Sequence, residues 1–280
     1  MLPIELHGII CSINVRRITR GFRPAPCSGR RGAGLPVIDV PAQPLIRLLE
    51  SGFHLSDEER AALENLPMRV EAIRTDQDIV REGDYPSRCF VLLDGFAIAC
   101  KRSGAGKRQI MTFHIAGDIP DLQSLHMKRL DNSISTITPC KVGFIEHEVL
   151  ADLCARFPRI TSALWRETLR DAAIFKEWVL NVGQRDAHTG VAHLICEIVT
   201  RMRAVGLVSD DRCAFPITQN ELADAVGVTS VHINRNLQEL RAAGLITLGQ
   251  SKLHVRDWEA LKARGDFTPD YLYLEPDVAA

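Results

Sequence analysis

The stretch ITQNELADAVGVTSVHINRNLQELRAAGLI, residues 217–246, restricts the possible folds most. Thr218 followed by Glu221 has capping-box spacing, in which each side chain satisfies an orphan backbone N–H of the other's residue. Leu222, Ala223 and Val226 form a short apolar stripe, and Gly227 supplies a tight turn. Thr229 and Ser230 are both suitable caps for a second helix. Its apolar positions Ile233, Leu237 and Leu240 recur at helical spacing until Gly244 stops it. Advancing about 100° per residue from Ile233 sends Val231, Arg235 and Gln238 to the outer face. Two short helices joined this way have the layout of a helix-turn-helix, whose second helix is free to enter a DNA groove. On this stretch alone, a helical hairpin with a solvated polar face is the competing reading.

The residues that follow narrow the choice. Leu245, Ile246 and Thr247 read as a short strand, Gly249 to Ser251 as a turn, and Lys252 to Val255 as a returning strand. Asp257 can cap a last short helix through Trp258 and Leu261. A helix-turn-helix followed by a small hairpin is a winged helix, expected here over residues 187–262, with residues 263–280 as a C-terminal tail.

A length of 280 residues suits about two domains. A hydrophobic fraction of 46% with 25% charged residues fits a soluble globular protein. No run approaches the roughly 18–20 apolar residues that span a bilayer, so no membrane partner is expected. The first residues, MLPIELHGIICSINVRR, place their basic residues after a short apolar patch and lack a small-residue cleavage site. A secretory signal is therefore not expected, and the expected location is cytoplasmic. The net charge of −1 does not advertise a polyanion partner, although a neutral total can conceal a local basic face. The eight cysteines, Cys11, Cys27, Cys89, Cys100, Cys140, Cys154, Cys196 and Cys213, include no C-x-x-C pair. They read as buried, reduced thiols, with no metal site and no cofactor expected.

Residues 1–37 mix six arginines (Arg16, Arg17, Arg20, Arg23, Arg30 and Arg31) with Gly and Pro. They read as a basic, disordered extension, with a DNA-touching arm as the other possibility. A helical stretch runs from PLIRLLESG to SDEERAALENL, with Ser56 as cap. Seven short alternating segments follow: RVEAIR, DIVRE, CFVLLD, FAIACKR, RQIMTFHI, SISTIT and KVGFIE. Turn signals such as Gly83-Asp84 and Asp94-Gly95 separate them, which suggests a sandwich or jelly roll over residues 38–150. After Glu146 the period changes to about 3.6. HEVLADLCARF is one helix, and Pro158 opens a longer one to about Val182 within a helical region at 151–186. Leu164, Thr168, Ala172, Phe175, Val179 and Val182 step by three or four, the spacing of a helix seam that could meet a second subunit. Trp165, Leu169, Ile174 and Trp178 lie off that stripe, so the helix is expected to bury more than one face. A helix wholly inside its own chain's core is the alternative. AHTGVAHLICEIVTRMRAVG leads into the winged segment.

The expected fold class is thus α+β: an N-terminal β-roll, a long helix and a C-terminal winged helix-turn-helix. With REGDYPSRCFVLLDGFAIACKR in the roll and residues 217–246 at the other end, the chain resembles the cyclic-AMP receptor protein and fumarate–nitrate reductase regulator (Crp/Fnr) family of transcription factors over about residues 40–262. The resemblance implies a cyclic-nucleotide-binding-like sensor domain and a homodimer paired through the long helix. The dimer would place two reading helices in successive major grooves of double-stranded DNA, with RNA polymerase as a further partner. It also implies phosphate contacts from Thr218, Asn220, Thr229 and His232, which set register without reading sequence. Ser230, Val231 and Arg235 fall at its base-reading positions. Arg235 can make a bidentate contact to guanine O6 and N7, and Val231 can meet a thymine methyl. Helical geometry independently turns Val231 and Arg235 outward.

In the roll the chain departs from the family's ligand pattern. Gly117 and Asp118 stand where cyclic-nucleotide binders carry Gly-Glu, and Leu130 to Ser135 contains no arginine for the cyclic phosphate. The corresponding effector pocket would involve Gly117, Asp118 and Ser133. Asp131 would place a carboxylate near the phosphate, an electrostatic penalty unless Lys128 or Arg129 compensates. The small-molecule effector is therefore unassigned and is not expected to be a cyclic nucleotide. Cys11 and Cys27 are too far apart for an iron–sulfur site of the fumarate–nitrate type. Haem sensing through His114 or His126 is an alternative to structural roles for these histidines. A different class of function, a small-molecule-binding module whose winged domain joins partner proteins, predicts no salt-dependent binding to duplex DNA. An enzyme is not expected, because no P-loop, G-x-S-x-G or H-E-x-x-H is present and the Asp118 and Asp121 pair lies in a loop.

Overall fold

A computed structural model describes residues 41–274. The basic extension at 1–37 lies outside the described residues, as do Cys11 and Cys27. Two short helices open the described chain, α1 (Gln43–Glu50) and α2 (Asp57–Glu64). Ser56 caps α2 in a complete capping box with Glu59.

All seven expected strands form: β1 (Arg69–Ile73), β2 (Asp78–Val80), β3 (Arg88–Asp94), β4 (Ala97–Arg102), β5 (Arg108–His114), β6 (Ser133–Thr136) and β7 (Cys140–Glu146). They make two antiparallel sheets, ordered β1-β7-β3 and β2-β6-β4-β5. Phe90, Leu92, Val142 and Phe144 from the first sheet pack with Ala97, Ala99 and Ile134 from the second. This is the interior of a β-sandwich, in which each strand turns alternate residues inward. A single 3-10 turn, Leu122–Leu125, lies between β5 and β6.

The helical half begins with α3 (His147–Arg156) and α4 (Pro158–Gly183), a 26-residue helix with proline in its first turn. Next come α5 (Ala187–Ala204), strand β8 (Arg212–Ala214), α6 (Gln219–Val226), α7 (Ser230–Ala242), β9 (Ile246–Gly249), β10 (Lys252–Val255) and α8 (Trp258–Arg264). Pairing in the order β8-β10-β9 gives the winged hairpin a third strand, β8, that periodicity does not reveal. Its three residues are too short to show an alternating pattern.

One apolar cluster crosses from the roll into the winged segment. Ile98, Ile110 and Phe113 of the sheet pack in the same core as Trp178 of α4 and Val191, Leu222 and Ile233 beyond it. Phe113 and Trp178 meet with ring centroids 6.0 Å apart. Burying each large apolar side chain contributes roughly 1.5–3 kcal/mol, so this shared core holds the two halves together.

The structure corrects two expectations here. Leu164 is not on the open seam of α4: it is only 5% exposed and packs with Leu150, Leu153 and Ile160 of its own chain. The open apolar face instead carries Trp165, 67% exposed, and Leu169, with Thr168, Ala172, Phe175, Val179 and Val182 also exposed. A rotation of about 100° per residue separates position 164 from 165, and the α3 packing decides which faces inward. Nor is the segment from 263 to 274 a loose tail. Phe267 and Leu272 are buried, and a 3-10 turn at Asp270–Leu272 packs against the helices.

Candidate nucleic-acid interface

The local chemistry of residues 217–246 builds the helix-turn-helix head as its sequence dictates. Thr218 Oγ1 accepts from the Glu221 amide at 3.2 Å, and Glu221 Oε2 accepts from the Thr218 amide at 2.6 Å, closing the capping box on α6. Gly227 ends the helix in the left-handed region at φ 77°, where a side chain would be strained. Of the two candidate caps for α7, Thr229 takes the role, its Oγ1 accepting from the His232 amide at 3.4 Å, while Ser230 becomes the first helical residue.

Ile233, Leu237 and Leu240 are buried, which fixes the rotation of α7 about its axis. Val231 is consequently 80% exposed and the Arg235 side chain 75% exposed, both on the outer face. Ser230 is half-buried beside them. Thr218, Asn220, Thr229 and His232 are all exposed and lie at the cap or in the first turn of α6 or α7. Unpaired amides and the helix dipole favour anions at such ends. Asn234 donates to Gln219 Oε1 at 3.1 Å, locking α7 to α6. Gln250 and Ser251 turn the wing with φ values of 51° and 57°, as a tight two-residue hairpin requires. Arg241 donates to the Leu248 carbonyl at 3.0 Å and ties α7 to that wing.

Buried charge binds this head to the roll. Arg201 of α5 donates through Nη1 to the Phe113 carbonyl at 2.9 Å and through Nη2 to Asp118 Oδ2 at 2.7 Å. His114 Nδ1 lies 3.2 Å from the same Asp118 oxygen, which also accepts from the Ile115 amide. Burial alone would push the Asp118 carboxyl up, but Arg201, His114 and the Ile115 amide outweigh it and hold the group below its ordinary value. Trp178 Nε1 and the Tyr271 hydroxyl both donate to Glu197, whose burial raises its pKa nonetheless. A second contact joins the roll directly to α6. Arg108 pairs with Asp224 at 2.7 Å, and Gln109 donates to the Ala225 carbonyl at 3.0 Å.

The expected effector group of Gly117, Asp118 and Ser133 does not assemble. Gly117 has φ 107°, and a Cβ there would sit 2.6 Å from the Pro44 carbonyl, so its role is backbone packing against α1. Asp118 turns inward to Arg201, as described. Ser133 Oγ accepts from the Glu82 amide at 3.0 Å. A cavity of about 420 Å³ in the roll is lined instead by residues including Asp84, Tyr85, Arg88, Asp121 and Phe144. The Arg88 guanidinium lies 3.8 Å from the Phe144 ring centroid. Asp121 is completely buried; Oδ1 accepts from the Phe90 amide at 2.9 Å, while Oδ2 has no hydrogen-bond partner. Burial raises its pKa to about 7. Asp121 and Arg88 are the pocket residues that sequence reasoning missed. The proximity of Asp121 to Asp118 gave a signal, but only the turn at 115–121 shows which of the two reaches Arg201 and which borders the cavity.

Among the described residues, no group of three His, Cys, Asp or Glu side chains could hold a metal ion, and no helix is long and apolar enough to cross a membrane. All six described cysteines are free thiols. Five are buried, and burial raises Cys196 to about 12 and Cys213 to about 11.

With this geometry in place, comparison with known proteins finds the same parts in the same order. Residues 70–157 match the model of the cyclic nucleotide-binding domain, and residues 191–264 match that of the Crp-like helix-turn-helix domain. Regulatory protein HlyX of Actinobacillus pleuropneumoniae is 24% identical, over 70% of this chain and 81% of its own length. The fumarate and nitrate reduction regulatory protein of Escherichia coli K12 is 21% identical, over 79% of this chain and 95% of its own. The solved structure of FixK2 from Bradyrhizobium japonicum superimposes with a TM-score of 0.66 at 20% identity, covering 72% of this chain and all of that one. A cyclic nucleotide-binding domain followed by a Crp-like helix-turn-helix, in relatives that are regulators of this type, places this chain in the Crp/Fnr family of DNA-binding transcription regulators.

Proposed function

We propose that the chain acts in the cytoplasm as a homodimer on a two-fold symmetric operator. Its reading helices would enter successive major grooves with half-sites about 34–36 Å apart. The observation that carries this reading is the orientation of α7: three buried aliphatic residues hold its outer face open, with Val231 and Arg235 projecting from it. Arg235 reads a guanine, Val231 a thymine methyl, and Ser230 completes the base-reading set. Thr218, Asn220, Thr229 and His232 contact phosphate and set register. The open stripe of α4, from Trp165 and Leu169 through Ala172, Phe175 and Val179 to Val182, supplies the dimer seam. Apolar residues at this spacing associate as a two-helix coil.

The roll senses an effector that is not a cyclic nucleotide. Residues 130–135 offer no guanidinium, and Asp131 is paired with Lys101 at 3.5 Å. An effector in the roll would act by shifting the population of head positions through the shared core and the Arg201 contacts. The protein partner of this reading is RNA polymerase, and the reading assigns the chain no catalytic step.

Selection of bound sequences from random duplex DNA tests the proposal in one experiment. A palindrome with one-turn half-site spacing, bound with a steep salt dependence, is the expected outcome. Selected sites without symmetry, or binding that ignores salt, would overturn it and favour a head that joins proteins. Analytical ultracentrifugation of Val179→Asp should show monomers where the unmodified protein shows dimers.

A further inference from the structure

We propose that Glu239 determines the selectivity of DNA reading by positioning the Arg235 guanidinium. The inference rests on Arg235 being a base reader and adds a residue that touches no base. Arg235 Nε donates to Glu239 Oε1 at 3.0 Å, one helical turn along α7. The other carboxylate oxygen, Oε2, lies 3.6 Å from His188 Nε2 on α5. His188 sits in the first turn of α5 with its imidazole 17% exposed. Glu239 therefore lies between the reading helix and the helix behind it.

The chemistry of the guanidinium gives this arrangement a purpose. Arginine presents five N–H donors in a rigid planar fork. A bidentate contact to guanine needs two of them, in plane with O6 and N7. Glu239 occupies Nε, which leaves both Nη groups to face the base. A long, exposed side chain otherwise samples many rotamers and must be ordered on binding. Holding Nε reduces that search and fixes the plane of the fork, so a misplaced acceptor pair on a wrong base is not met by a compensating swing. A carboxylate near DNA also repels phosphate, so Glu239 costs affinity on every sequence alike. Its benefit is confined to the one base pair that Arg235 reads.

The test compares the unmodified protein with Arg235→Ala, Glu239→Ala, Glu239→Gln and His188→Ala. Each is titrated by fluorescence anisotropy with a duplex recovered from random-sequence selection and with duplexes changed at single base pairs. Arg235→Ala identifies the base pair it reads. At that pair, Glu239→Ala should lower the ratio of correct to incorrect affinity by about threefold, the scale of an exposed helical pair, and leave other pairs unchanged. Glu239→Gln keeps an oxygen able to accept from Nε and should retain most of the ratio, and His188→Ala should fall between the two. If Glu239→Ala strengthens binding to all sequences equally with no change in any ratio, the carboxylate acts only as a charge and the proposal is overturned. Should Arg235→Ala alter no ratio, the base-reading assignment fails and the proposal falls with it; sensitivity to Arg235→Ala alone removes only Glu239. Thermal melting of each variant confirms that the surface substitutions leave the fold intact.

Discussion

Arg201 and Arg235 carry the same side chain into opposite surroundings. Arg201 is 6% exposed and commits its fork to a roll carbonyl and a buried carboxylate. Arg235 stands in solvent, bonded only through Nε to a partly exposed glutamate. In a low-dielectric interior, an ion pair interacts strongly but must offset the loss of hydration of both groups. At the surface each term is small, and the group remains available to a ligand. One arginine thus belongs to the architecture, and the other is the one proposed for recognition. The two regions should respond to substitution in different observables.

The largest expected effect tests the interior. Arg201→Ala leaves Asp118 buried without its hydrogen-bonded cation, and should lower stability by about 3–5 kcal/mol in urea denaturation. A loss below about 1 kcal/mol would place Arg201 with the surface charges and break the comparison. Asp121 tests buried charge without a partner. Its folded pKa of about 7 stands above the unfolded value of 3.8, so the native state binds the extra proton between the two. Its destabilisation is absent below about pH 4, grows as pH rises and is complete above about pH 7, reaching up to about 4 kcal/mol. Asp121→Asn should flatten that decline in stability and raise the melting temperature at about pH 8; an unchanged slope would mean Asp121 is already ionised in the folded roll.

Arg235→Ala should show the converse pattern. Stability should change by no more than about 0.5 kcal/mol, while discrimination at one base pair per half-site falls by about 1–3 kcal/mol in competition binding. An equal loss of affinity on all sequences would mark it as a phosphate contact. The smallest effect is expected between the extremes. Arg108 and Asp224 are each about one-third exposed, at 27% and 33%, so Arg108→Ala should cost less than about 1 kcal/mol, and the difference should shrink in high salt.

The part of the molecule built by local rules was legible in the sequence. The Thr218–Glu221 capping box, the Ser56 cap, the turn at Gly227, the seven strands of the roll and the start of α4 at Pro158 follow from neighbours two to four residues apart. What escaped notice depends on residues distant in sequence. Nothing near Arg201 says that it reaches back to Asp118 and Phe113. Leu164 and Trp165 are adjacent apolar residues, and only the position of α3 decides that the first is covered. Asp118 and Asp121 are chemically alike, yet one turn of chain sends the first to an arginine and the second to the Phe90 amide. The outer face of α7 was predictable for a related reason: Val231 and Arg235 are outward because Ile233, Leu237 and Leu240, on the same helix, are inward.

The last described turn of the chain is stitched to places far apart in sequence. Tyr271 gives its hydroxyl proton to Glu197 and stacks on His193, and the Tyr273 carbonyl accepts from Arg166 and Arg170, interleaved with Trp165 and Leu169 on α4. A protein shortened to residue 265 would keep α6, α7 and the wing yet lose this fastening, leaving Glu197 one donor poorer and the flank of α4 bare. Such a truncation would therefore loosen the packing of α4 and α5 while leaving the helix-turn-helix itself whole.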